Sequence, residues 1–107
     1  MNNLGIIHDE QGNYQKAIEY YFEARTIYER LGDESKIAMV LVNIGIVLRA
    51  QKEYDKVLSH YYLAIKIYKK LDNHFALAAC HANLGSVFLE VPNYDSSLFY
   101  SLLAALP

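Results

Sequence analysis

The sequence predicts an all-α chain: a right-handed α-solenoid of antiparallel helix pairs with about three repeats and both ends uncapped. Three observations carry that expectation. Asn3-Leu4-Gly5 returns as Asn43-Ile44-Gly45 and again as Asn83-Leu84-Gly85, a period of about 40 residues that belongs to helical-repeat arrays. Further landmarks keep the same step, with Tyr14, Tyr54 and Tyr94 followed by Ala24, Ala64 and Ala104. Between the landmarks, apolar residues recur three and four apart, which draws one stripe down a helix.

Taken in order, residues 1–11 read as the second part of a first A helix, stopped by Gly12 before a turn at Asn13. The first B helix is expected from Tyr14 to about Leu31, its stripe formed by Ala17, Ile18, Tyr21, Ala24, Ile27, Tyr28 and Leu31. Gly32 ends it, and Asp33 can cap its successor by accepting from exposed first-turn amides. The second A helix, from about Glu34 to Gln51, contains the run IAMVLVNIGIVLRA. It is apolar on more than one face, as befits a helix with neighbours on both sides, and should be the most buried element. The second B helix follows from Tyr54 to Leu71, and Asp72 and Asn73 break it. The third A helix spans about His74 to Glu90, ended by Val91 and Pro92, because proline lacks the amide a continuing helix needs. A last B helix starts at Asn93 or Tyr94 and stops at Leu106 and Pro107.

The repeats are therefore drawn at about 1–33, 34–73 and 74–107, the first truncated at its start and the last at its end. Arrays normally finish in a capping element with a polar outer face, so a fragment of a longer solenoid is expected.

Composition narrows the function classes. The 107 residues carry 10 Lys and Arg against 12 Asp and Glu, a net charge of −2. The cations are scattered, without the phosphate-neutralising patch that nucleic acids require. No apolar run reaches the ~18 to 20 residues that span a bilayer. The single cysteine, Cys80, excludes an internal disulfide and favours a reducing compartment, so a cytoplasmic location is expected. Lying mid-helix among apolar neighbours, it reads as a small buried hydrophobe. His8, His60, His74 and His81 form no compact ligand set, and His81 takes the packing place that Leu41 holds one repeat earlier. The tyrosines Tyr20, Tyr21, Tyr28, Tyr61, Tyr62 and Tyr68 read as packing residues with their hydroxyls at the edge. No phosphate loop, hydrolase elbow or metal-binding helix motif occurs. No catalytic residue, metal or cofactor is expected.

Helix pairs with Asn-x-Gly in the first helix, Tyr opening the second and a small residue ten further on resemble the tetratricopeptide repeat family. The resemblance covers essentially the whole chain. It rests on Leu4, Gly5, Gly12, Asn13, Tyr14, Ala17, Tyr21 and Ala24, then on Ile44, Gly45, Tyr54, Val57, Tyr61 and Ala64. The third copy matches at Leu84, Gly85, Tyr94 and Ala104, while Ser97 and Ser101 replace the usual Ala and aromatic. The family's proline near the end of the second helix gives way to Glu29 and Lys69, which suits a period longer than the usual ~34. The glycines are expected to let the partner helix come close, as are the alanines from the opposite side.

The resemblance implies a protein-interaction module without catalysis, binding a peptide or helical segment in the concave groove formed by the first helices. The implied groove residues are Asn3, Ile6, Asp9 and Glu10; Met39, Val42, Asn43, Ile46 and Arg49; and Ala79, Ala82, Asn83, Ser86, Leu89 and Glu90. In long-repeat relatives Asn at the place of Asn3, Asn43 and Asn83 holds a ligand's backbone; tying one helix to the next would repeat equally well. The clamp by which some relatives take a chaperone's carboxy terminus is set aside: its places are Asn2, Ile6, Asn43, Ala79 and Asn83, and only Asn43 matches. A rival expectation is structural, with Leu102, Leu103 and Leu106 at the open end driving edge-to-edge packing or a homodimer. A sensor segment of a larger signalling protein would look the same.

Overall fold

Short polar side chains set where the helices begin. In a computed structural model of the chain, which describes residues 13–90, Asn13 Oδ1 accepts from the Lys16 amide at 3.4 Å, Asp33 Oδ1 from Lys36 at 3.2 Å and Asn73 Oδ1 from Ala76 at 3.1 Å. Each satisfies a first-turn amide that has no partner inside its own helix. Four helices result: α1, Tyr14–Leu31; α2, Glu34–Ala50; α3, Tyr54–Lys70; and α4, His74–Glu90. Only α3 starts without a side-chain cap, at Glu53. The first three helices stop where the backbone turns left-handed, at Gly32 (φ 69°), Lys52 (φ 61°) and Asp72 (φ 57°). For these four helices the expected bounds hold to within a residue, while the expected first A helix at 1–11 and last B helix from Asn93 or Tyr94 lie outside the described residues, among which there is no strand.

Each helix packs on its sequence neighbours, most extensively α2 on α3. The core is one cluster that includes Ala17, Tyr21 and Ala24 of α1, Leu41, Ile44, Val47 and Leu48 of α2, Val57, Tyr61, Ala64 and Ile65 of α3, and Cys80, Leu84 and Val87 of α4. As expected, α2 contributes most, seven buried residues in all. An ion pair and a cation–π contact brace the outside: Lys70 Nζ reaches Glu34 Oε1 at 2.8 Å, and Lys36 Nζ lies 5.5 Å over the Tyr28 ring. Such exposed contacts add little stability beside the apolar cluster.

Several expectations need correction. The stripes leave the core before their ends, with Leu31 72 % and Leu71 41 % exposed. His81 is exposed although its counterpart Leu41 is buried. Tyr61 does not keep its hydroxyl at the edge: the residue is 0 % exposed, and Oη has no hydrogen-bond partner among the described residues. The ring fills the space that glycine leaves at position 45, where a Cβ would lie 2.5 Å from Tyr61 Cε1 and 2.9 Å from Cδ1. The repeat's glycine thus makes room for an aromatic ring on the partner helix. Gly85 has nothing within 4 Å of an added Cβ, and its counterpart of Tyr61, Ser101, lies outside the described residues.

Burial also shapes the response to alkali. It pushes the Cys80 thiol from 9.0 up to about 11 and the Tyr61 phenol from 10.0 up to about 12, the latter against the opposing pull of Arg49. Tyr68 is raised as well, chiefly by burial. Each group is neutral in both states below its unfolded value. Above that value the unfolded chain releases the proton while the folded chain retains it, so stability falls as pH rises. Denaturant midpoints are expected to fall from about pH 9 towards pH 12, and less steeply in Cys80→Ala. A midpoint flat across that window would show that these groups titrate normally in the fold.

Candidate functional site

The 40-residue offset places α2 and α4 side by side, one repeat apart, with α3 behind them. Between them lies a cleft of ≈ 220 Å³ lined by Met39, Val42 and Asn43 of α2, Tyr68 of α3, and Phe75, Ala76, Ala79, Cys80 and Asn83 of α4. Met39, Val42 and Asn43 share one face of α2 because they are three and four residues apart, and the same spacing aligns Phe75, Ala79 and Asn83 on α4.

The lining is apolar apart from its two carboxamides, the Tyr68 hydroxyl and the Cys80 thiol. Asn43 and Asn83 are both half-buried, and each can donate and accept. Asn43 already makes an interaction within the chain. Cys80 is 2 % exposed and keeps its proton, which suits a packing role at the base of the cleft.

Of the other residues the sequence points to, Ile46 is 40 % and Leu89 85 % exposed outside the cleft. Ser86 is half-buried, with its Oγ donating to the Ala82 carbonyl at 3.3 Å. Arg49 is taken up by the next repeat: its Nε and Nη2 donate to Glu90 Oε1 at 3.0 Å and 2.6 Å, and Tyr54 Oη donates to Glu90 Oε2 at 3.4 Å. The hydrogen bond from Arg49 holds the Glu90 carboxyl below its ordinary value and raises the guanidinium in turn. The expected mixed charge of this wall is therefore largely compensated between α2 and α4. Asn3, Ile6, Asp9, Glu10, Leu102, Leu103 and Leu106 lie outside the described residues.

Four lining residues, Tyr68, Phe75, Ala76 and Cys80, were not among the expected groove residues. Phe75 lies one turn before Ala79 on the same stripe, so the spacing was enough to find it; its counterpart one repeat earlier is Ser35, which broke the register. Tyr68 belongs to a B helix, and its place at the back of the cleft follows only from how α3 packs.

A larger hollow of ≈ 510 Å³ opens among Ile18, Phe22, Ile44, Leu48, Lys56 and His60, with Gln15, Gln51 and Glu53 completing its wall. Its charges are internally occupied, with Lys56 Nζ 3.3 Å from Glu53 Oε1 and His60 Nδ1 2.8 Å from the Lys56 carbonyl. None of the register residues on α4 reaches it. Among the described residues there is no group of three or more metal-ligating side chains, and no helix is long and apolar enough to cross a membrane.

Comparison with protein families finds the Tetratricopeptide repeat over residues 36–101, and a second family of the same description over residues 1–31. Comparison with curated proteins and with solved structures gives no match.

Proposed function

We propose that this chain, which belongs to the tetratricopeptide repeat family, binds a peptide or helical segment of a partner protein in the cleft between α2 and α4. Repeats of this kind are in general protein-interaction modules. The observation that carries the reading is the convergence of Met39, Val42, Asn43 and Asn83 on one cleft. Apolar side chains there supply contact area, and the carboxamides can meet a ligand's peptide groups without reading its sequence. The reading assigns the chain no catalysis of its own: the thiol at the base is protonated and buried, and among the described residues no acid–base pair lines the cleft.

The test is to pan a random linear peptide library against the whole chain and measure retained peptides by fluorescence anisotropy. Ala79→Glu puts a charge at the mouth of the cleft from an exposed position, so helicity and melting should be unchanged. Binding should weaken by roughly tenfold or more, as loss of a central contact does. Asn83→Ala should weaken it less. Peptides that bind Ala79→Glu as well as the unmodified chain would place the interaction elsewhere.

A further inference from the structure

The groove between α2 and α4 runs on past the cleft. Arg49 stands seven residues beyond Val42 on α2, and Glu90 seven beyond Asn83 on α4, so each shares a helix face with the residue it follows. Val42 and Asn83 line the cleft. Roughly 10 Å further along, Arg49 Nε and Nη2 donate to Glu90 Oε1 at 3.0 Å and 2.6 Å, which ties the two helices across the groove. Tyr54 Oη, from the start of α3, donates to the other carboxylate oxygen at 3.4 Å. At the opposite end of the cleft stands Phe75, 90 % exposed.

The bridge is not a feature of the repeat. One repeat earlier its two places hold Asp9 and Ala50, which cannot form an ion pair. It belongs to this cleft, and it cancels the charge at the end of a lining that holds no Asp, Glu, Lys or Arg among the described residues. A ligand charge entering that lining would give up water without gaining a counter-charge, which is costly.

We infer that the Arg49–Glu90 bridge determines which ligands the cleft takes: it closes the groove at that end and keeps it neutral, so the occupant is an uncharged, apolar segment that stops before the bridge. The inference rests on the reading of the cleft as a peptide site and narrows it to one chemical class. Arg49 and Glu90 set this preference without lining the cleft, each by occupying the charge of the other. Removing either partner leaves the second as a free charge at one end of the ligand.

The test takes a neutral peptide retained from a random linear library by the whole chain, adds Asp or Lys at either end, and measures affinity by fluorescence anisotropy. On the unmodified chain the two additions should be equivalent, and binding insensitive to salt, within about twofold, because no free charge meets the ligand. Glu90→Gln releases Arg49, and Asp should then be preferred over Lys by roughly fivefold or more, at one end of the peptide only. Arg49→Gln should reverse the preference at that same end, less strongly because Lys52 also acts on Glu90. The reversed pair, Arg49→Glu with Glu90→Arg, should restore equivalence. Both side chains reach solvent, 27 % and 41 % exposed, so circular dichroism should be unaltered. The control is Glu29→Gln, which releases Arg25 on α1 and changes the net charge equally; it should create no preference. Peptides that are lost in Ala79→Glu, yet show no preference in the bridge variants or the same one in Glu29→Gln, overturn this inference and leave the cleft reading standing. A preference at both ends of the peptide overturns the closed end. A library that yields nothing, or only peptides indifferent to Ala79→Glu, overturns both.

Discussion

Gly45→Ala is expected to destabilise the fold although it adds a better helix former. Alanine gains up to ~1 kcal/mol of helix propensity over glycine. Here the new Cβ would stand 2.5 Å from Tyr61 Cε1, a separation real Cβ atoms do not show. The ring cannot easily yield, because Tyr61 is 0 % exposed and enclosed by the core. Overpacking of this kind costs roughly 1 to 3 kcal/mol, and Gly45→Leu should cost more. Each kcal/mol lowers the melting temperature of a domain near this size by roughly 4 to 8 °C. The internal control is Gly85→Ala, whose Cβ meets nothing within 4 Å among the described residues; it should be neutral or slightly stabilising. Thermal melts of the two variants decide the matter. Equal shifts at Gly45 and Gly85 would mean that the contact with Tyr61 does not govern the site.

The second large effect falls on the other partner of that contact. Tyr61→Ala is expected to cost roughly 3 to 5 kcal/mol, the usual range for removing a buried aromatic ring. Tyr61→Phe should behave in the opposite sense. Its hydroxyl is buried without a hydrogen-bond partner among the described residues, and a group in that state carries a desolvation cost of roughly 1 to 3 kcal/mol. Phenylalanine keeps the ring against Gly45 and removes the hydroxyl, so Tyr61→Phe should be neutral or stabilising. It should also soften the loss of stability above about pH 10, because one of the phenols that retains its proton in the fold is gone. The decisive measurement is the denaturant midpoint of the two variants at neutral pH. A Tyr61→Phe variant markedly less stable than the unmodified chain would show that Oη makes a bond the geometry does not reveal.

These two predictions also mark how far the sequence could be read. That glycine and an aromatic recur in step was legible, and so was the need for a close approach at Gly45. Which group comes close was not, because periodicity places residues on a face without saying what the opposite helix presents. The same limit governs the cleft. Asn43, Asn83, Met39 and Val42 were named by the family resemblance, whose pattern counts from Gly45 and Gly85, and the structure brings these four to one cleft. Tyr68 required knowing how α3 stands behind α2 and α4. Phe75 was missed because attention to the register favours residues that recur, and Phe75 replaces a serine.

The sequence by itself determined the helices, their bounds, their pairing and the family, because each rests on local signals: the 3.6-residue period, side chains that accept from first-turn amides, and residues tolerant of a left-handed turn. The tertiary structure alone decided three things: that Arg49 is engaged by Glu90, that the Tyr61 hydroxyl is buried, and that Phe75 joins Met39, Val42 and Asn43 in one cleft. All three depend on which helix faces which across a gap of some 15 to 40 residues. Chain-local periodicity holds no information about that distance until the helices are packed.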